Sequence, residues 1–259
     1  SLIIFAVTFL GLSYMLIREI FPHGKKERII AFLLFTTSNA FPKWNLSYYD
    51  FWFNMGIPFN RLGGVPHHLI ARSVIVLSIL LFVWFARRRK WIFLVGLSLS
   101  GFILGSIDPV QWGIVVGVLL VSHFFGRSNF LPLLFFFLGG LPIVLYLRNL
   151  FALPPYSQLA AWEATQQLHP GIVPFILGNG PVMVLAILGI FFFIRKMTLI
   201  RLLAVVFTIL TIILYFSPLP EILKVVNVRF LPAVTTLFLA CMATEAISAI
   251  RSRWGSILF

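Results

Sequence analysis

The run from Leu69 to Lys90, with His68 in front of it, constrains this chain more than any other stretch. Its centre, Ser73 to Ala86, is almost wholly apolar, and it stops on Arg87, Arg88, Arg89 and Lys90. An apolar stretch of this length reads as a transmembrane helix. Four basic residues at its end mark a cytoplasmic face. A spanning segment must satisfy its own backbone polar groups, so the expected fold class is all-α. The direction of this one span then sets the direction of every other.

The rest of the chain has the same character. Of its 259 residues 60% are hydrophobic and only 10% are charged, against roughly 25% charged in a soluble domain. The net charge of +13 would point to nucleic acid in a soluble chain. Here the basic residues gather at the ends of apolar runs, as positive-inside bias requires, so nucleic acid is not expected as a partner. The single cysteine, Cys241, lies inside an apolar run, which excludes an intrachain disulfide and a cysteine-based metal site.

Nine membrane segments are expected, at about 1–17, 28–42, 69–86, 91–107, 110–125, 130–147, 171–194, 199–216 and 228–250. They form a polytopic bundle, one transmembrane domain over 1–259. The second segment carries Thr36, Thr37, Ser38 and Asn39, and reads as a re-entrant or bent helix facing protein. The chain opens on Ser1 in apolar sequence, with no charged leader or small-residue cleavage site. Its start is expected to be a span of a longer protein and not a signal peptide. Fourteen of the twenty Lys and Arg residues fall at inner ends, among them Arg18, Lys25, Arg87–Lys90, Arg195 and Arg251. This puts Ser1 outside and Phe259 in the cytoplasm, with the plasma membrane as the expected site.

Inner connections are tight, whereas two outer ones are long: Pro42 to His68, and Arg148 to Pro170. Each is expected to hold a short helix lying on the membrane surface. The first is rich in Trp, Tyr and Phe, and in the second Ser157 is a candidate N-cap. Polar and aromatic material is thus concentrated on one face, where a rigid scaffold presents chemistry.

Acids are scarce, which singles out Asp50, Asp108 and Glu163 on that face as candidate catalytic groups. Each also has a plainer role: a cap or loop acid for Asp50, the N-cap of an Asp-Pro turn for Asp108, a surface charge for Glu163. Glu245, near the inner end of the last span, is expected to snorkel or to pair with Arg251. Arg229 stands where basic residues are depleted, at the outer mouth of the last span. A guanidinium there suits a lipid phosphate, and Arg72, Arg148 and Lys224 can share that anionic pocket. Tyr49, His68 and His169 complete the candidate substrate-binding set. His67, His68 and His169 with Asp50 or Glu163 form a set able to ligate a divalent metal, but the spacing is not specific and no metal site is assigned. H-E-x-x-H, G-x-S-x-G and P-loop motifs are absent.

Three runs carry a family resemblance: LVGLSLSGFILGSIDPVQWGIVVGVLL, with its tight Asp108-Pro109 turn; FLPLLFFFLGGLPIVLYLRN, leading into a Pro-rich outer helix; and VNVRFLPAV. Together they resemble the layout of the GT-C-type glycosyltransferases, polytopic enzymes that use polyprenyl-phosphate-linked sugars. The resemblance implies sugar transfer on the outer face, with a polyprenyl-phosphate-linked sugar and membrane lipid as partners and Arg229 meeting the lipid phosphate. Basic groups or a divalent metal would stabilise the leaving phosphate. Relatives carry a catalytic acid in the first outer loop, and this chain begins at what matches their second span. The resemblance therefore implies a piece lacking that loop. A lipid or solute transporter (a flippase, for instance) and a non-catalytic membrane scaffold are the competing readings.

Overall fold

The computed structural model describes residues 2–41, 66–126, 129–169 and 171–255. Each of the nine apolar segments contains a helix: α1 (Leu2–Ile20), α2 (Lys25–Thr37), α3 (Pro66–Arg88), α4 (Ile92–Ile107), α5 (Pro109–Gly126), α6 (Leu131–Phe151), α8 (Ile172–Arg195), α9 (Leu199–Phe216) and α11 (Ala233–Gly255). Between them lie α7 (Tyr156–Ala164), α10 (Leu219–Ile222) and a 3₁₀ turn, Asn227–Phe230. Seven of the helices are long and apolar enough to cross a membrane, making an all-α polytopic bundle. The other two, α4 and α2, have 16 and 13 residues. Tyr49, Asp50 and the expected first surface helix lie outside the described residues. The second long connection holds a short helix, α7, which buries no side chain. Its cap differs from expectation: Pro155 precedes the helix and Ser157 lies inside it, with no side-chain cap.

The second segment is helical over only part of its expected length, and the backbone that follows its helix packs against a distant one. At about 1.5 Å per residue, α2 is roughly 20 Å long, short of the ~30 Å hydrocarbon core. It stops at Thr37, whose hydroxyl donates back to the Leu33 carbonyl. Residues 38–41 then run on as non-helical backbone beside a break in α8 at Gly180 (φ +70°). Pro181 has no N–H to give to the carbonyl four residues earlier, that of Leu177. The Phe41 N–H donates to that carbonyl instead, at 2.9 Å. The fit admits only glycine at the break: a Cβ on Gly180 would lie 1.9 Å from the Asn39 carbonyl oxygen.

Within the bundle α3 and α11 are central. Of their most apolar stretches 72% and 78% are buried in protein, against 22% for α6. In lipid, helices associate through close packing of small residues and not through water exclusion. The most extensive contacts obey this. Along α4 and α6 the backbones touch through Gly101 and Gly139: an added Cβ would come within 2.1 Å of the Phe136 and Ser98 carbonyl oxygens respectively. Between α8 and α11 the same role falls to Gly189, against the Met242 carbonyl.

The tight connections α1–α2, α3–α4, α5–α6 and α8–α9 share one end, which holds the basic residues. There Arg87 and the Trp84 indole donate to Glu19 across α1 and α3. Glu245 does not pair with Arg251. Its carboxylate accepts from Arg201 Nη2 at 2.6 Å, and Lys196 approaches it at 3.3 Å. Arg251 lies six residues along α11, off the face of Glu245, whereas α9 lays Arg201 directly beside it. The guanidinium also donates to the Phe193 carbonyl at 3.1 Å and lies over the Phe193 and Phe21 rings.

Candidate functional site

At the opposite end of the bundle a cavity of about 240 Å³ opens between four elements. Its polar lining is His68 and Arg72 from the start of α3, Gln111 from α5, Glu163 from α7 and Arg229 from the 3₁₀ turn. Leu159 and Trp162 of α7, with Val228, Leu231 and Pro232, supply the apolar wall. Four of the residues singled out from the sequence, His68, Arg72, Glu163 and Arg229, thus meet in one place.

Arg229 is the hub. The chain VNVRFLP turns once as 3₁₀ helix and reaches Pro232 just before α11, where a proline fits because the first helical amides need no partner. This turn aims the guanidinium back toward α7. Its Nε donates to Glu163 Oε1 at 2.5 Å and its Nη2 to Oε2 at 3.0 Å. The same Oε1 accepts from the Val226 amide at 3.4 Å. Two guanidinium N–H groups and one backbone N–H make a donor set suited to a phosphate as well as to a carboxylate. Arg229 is therefore held by an internal acid and does not stand open to an anion.

Asp108 approaches Arg229 from the other side, its Oδ2 4.0 Å from Nη1. It is 2% exposed and caps α5: Oδ1 accepts the Gln111 amide at 3.2 Å, and Pro109 opens the helix. Burial pushes its carboxyl above the usual carboxylate range and the nearby Glu163 charge adds to this, while Arg229 and the amides of Gln111 and Val110 pull the other way. Asp108 is thus the cap of α5 and a neighbour of Arg229, and among the described residues the acid lining the cavity is Glu163.

A clasp fixes α7 over the cavity. Gln167 Nε2 donates to the Val225 carbonyl at 2.8 Å, and its Oε1 accepts from the Asn227 amide at 3.1 Å. Asn227 returns the pattern: its Oδ1 accepts from the Leu168 amide at 3.1 Å, and its Nδ2 donates to the Leu168 carbonyl. Neither Gln167 nor Asn227 was given a role from the sequence. Each is an uncharged amide outside the α-helices, and only their meeting across sixty residues reveals the clasp.

The remaining candidates lie elsewhere. His169 lines a separate cavity with Tyr215, Glu221 and Asn227, its Nε2 3.8 Å from Glu221 Oε1. Arg148 is exposed in the last turn of α6, and Lys224 is exposed before the 3₁₀ turn. The His67 and His68 rings lie 4.3 Å apart, but among the described residues no three His, Cys, Asp or Glu side chains converge as metal ligands. The acids near the cavity are engaged with Arg229, so these residues do not fit a divalent ion. Comparison with protein-family models, curated proteins and solved structures finds no match.

Proposed function

We propose that this chain is a membrane glycosyltransferase of the GT-C type, moving a sugar from a polyprenyl-phosphate carrier to an acceptor at the end of the bundle remote from the basic loops. One observation carries the reading: His68, Arg72, Glu163 and Arg229, from three separate elements, line a single, mostly apolar cavity at that end. All nine segments cross in this reading, α2 by means of the non-helical residues 38–41. The positive-inside rule then sets Ser1 and the cavity outside, and Phe259 in the cytoplasm of a plasma-membrane protein.

The chemistry follows from the donor set around Arg229. The carrier phosphate takes the place of Glu163 on the guanidinium and the Val226 amide, with Arg72 in the same wall. The polyprenyl chain lies along Leu159, Val228 and Leu231 toward lipid. An acceptor hydroxyl oxygen attacks the anomeric carbon, the bond from that carbon to the phosphate oxygen breaks, and its electron pair leaves on polyprenyl phosphate. Glu163, released from Arg229, takes the hydroxyl proton. Arg229 and Arg72 stabilise the charge gained by the departing phosphate.

The test is release of polyprenyl phosphate from polyprenyl-phosphate sugars by the full chain reconstituted in vesicles with candidate acceptors. Arg229→Gln and Arg72→Gln should each lower the rate roughly a hundredfold, the cost of losing one charge-stabilising group, in protein whose thermal unfolding shows it to be folded. Release no faster than from empty vesicles, or full activity in both variants, would sink the proposal. Transport is the second reading, favoured by the break in α8, since discontinuous helices line translocation sites. That break, however, is filled by the Asn39 backbone.

A further inference from the structure

We propose that Gln111 reads the sugar of the donor while the arginines take its phosphate; this rests on the function proposed above. Gln111 lines the cavity yet is only 7% exposed, and its side-chain oxygen is buried with no hydrogen-bond partner among the described residues. Asp108 holds its amide at 3.2 Å, so the main chain beneath the side chain is fixed.

A buried amide oxygen left unpaired is costly, and a methionine of similar length would remove that cost. A polar group kept in such a position is explained by a ligand that completes it. Its chemistry also selects which part of the ligand does so. The oxygen is an acceptor and needs a donor. A phosphodiester anion offers only acceptors, so the phosphate cannot satisfy the Gln111 oxygen. A sugar hydroxyl can. Trp162, which also lines the cavity, presents an indole, a surface on which the C–H face of a pyranose packs. The cavity then divides into an anion side, Arg72 and Arg229, and a hydroxyl side, Gln111 and Trp162.

The experiment uses the full chain in lipid nanodiscs, with farnesyl phosphate and its glucosyl, mannosyl and N-acetylglucosaminyl esters as probes. The wild type should bind farnesyl phosphate and bind at least one ester roughly tenfold more tightly, the increment of one good hydrogen bond. Gln111→Met should abolish that preference, leave affinity for farnesyl phosphate unchanged, and unfold at the same temperature as the wild type or higher. The gain or retention of stability is the readout that a merely structural glutamine would not give. No ester preference in the wild type, a preference that survives in Gln111→Met, or an equal loss of both probes would overturn the role of Gln111. Farnesyl phosphate that fails to bind the wild type, or binds Arg229→Gln equally well, would instead sink the reading of the site itself.

Discussion

The ion pair at the basic end gives a sharp test of how this bundle is held together. Arg201 and Glu245 are 7% and 6% exposed at the side chain, and lie 2.6 Å apart between α9 and α11. Taking one partner from a buried pair strands the other, at about 3–5 kcal/mol, whereas replacing both with apolar residues is often neutral. The two single losses are not equivalent here. In Arg201→Met, Glu245 keeps Lys196 at 3.3 Å, although Lys196 is 70% exposed and is worth at most about 1 kcal/mol. In Glu245→Gln, Arg201 loses its counter-charge and is left, among the described residues, with neutral acceptors and two ring faces. We expect Glu245→Gln to cost about 3–4 kcal/mol, Arg201→Met about 2–3 kcal/mol, and the double variant Glu245→Leu with Arg201→Met about 1 kcal/mol or less.

The chain carries its own reporter. Cys241 is the only cysteine, is fully buried, and lies one turn from Glu245 on α11. A maleimide reaches it only when α11 opens, so the labelling rate in detergent micelles follows the opening equilibrium. A loss of 3 kcal/mol should speed labelling roughly a hundredfold. Equal rates for Glu245→Gln and wild type would refute the argument, as would a double variant that labels as fast as the two single costs added together predict.

Two further outcomes follow from the close backbone approaches. Gly139→Ala forces α4 and α6 apart, because its Cβ would lie 2.1 Å from the Ser98 carbonyl; thermal unfolding should show a loss of about 1–3 kcal/mol, while Gly113→Ala, with nothing within 4 Å, should be neutral. Gly180→Ala meets both a positive φ and the Asn39 carbonyl, so it should loosen residues 38–41 locally: a cysteine placed at the buried Ala40 should become reactive to maleimide in that background and stay protected in its absence.

How far the sequence discloses this molecule depends on whether a feature is local. Helices and their shared basic end are legible because the bilayer dictates them residue by residue: an apolar stretch must be helical, and the basic residues stay where Arg87 to Lys90 stand. Asp108 capping α5 was legible for the same reason, since the cap and the capped amide are three residues apart. Partners across the bundle were not. Arg229 and Glu163 were each readable as an out-of-place charge, but not as a fork spanning 66 residues. Glu245 was assigned to its own helix because the sequence holds nothing that brings α9 beside α11. Pro181 announces a break in α8, yet only the fold shows that Phe41 repairs it. In lipid there is no water to finish what the chain leaves undone, so a buried polar group pairs within its own helix, as the Ser78 and Thr244 hydroxyls do, or across to a neighbouring helix. Gln111 is informative for that reason. A single amide in an apolar helix is unremarkable as sequence, and becomes a candidate for ligand contact only once its neighbours are known and its oxygen is unmatched among the described residues.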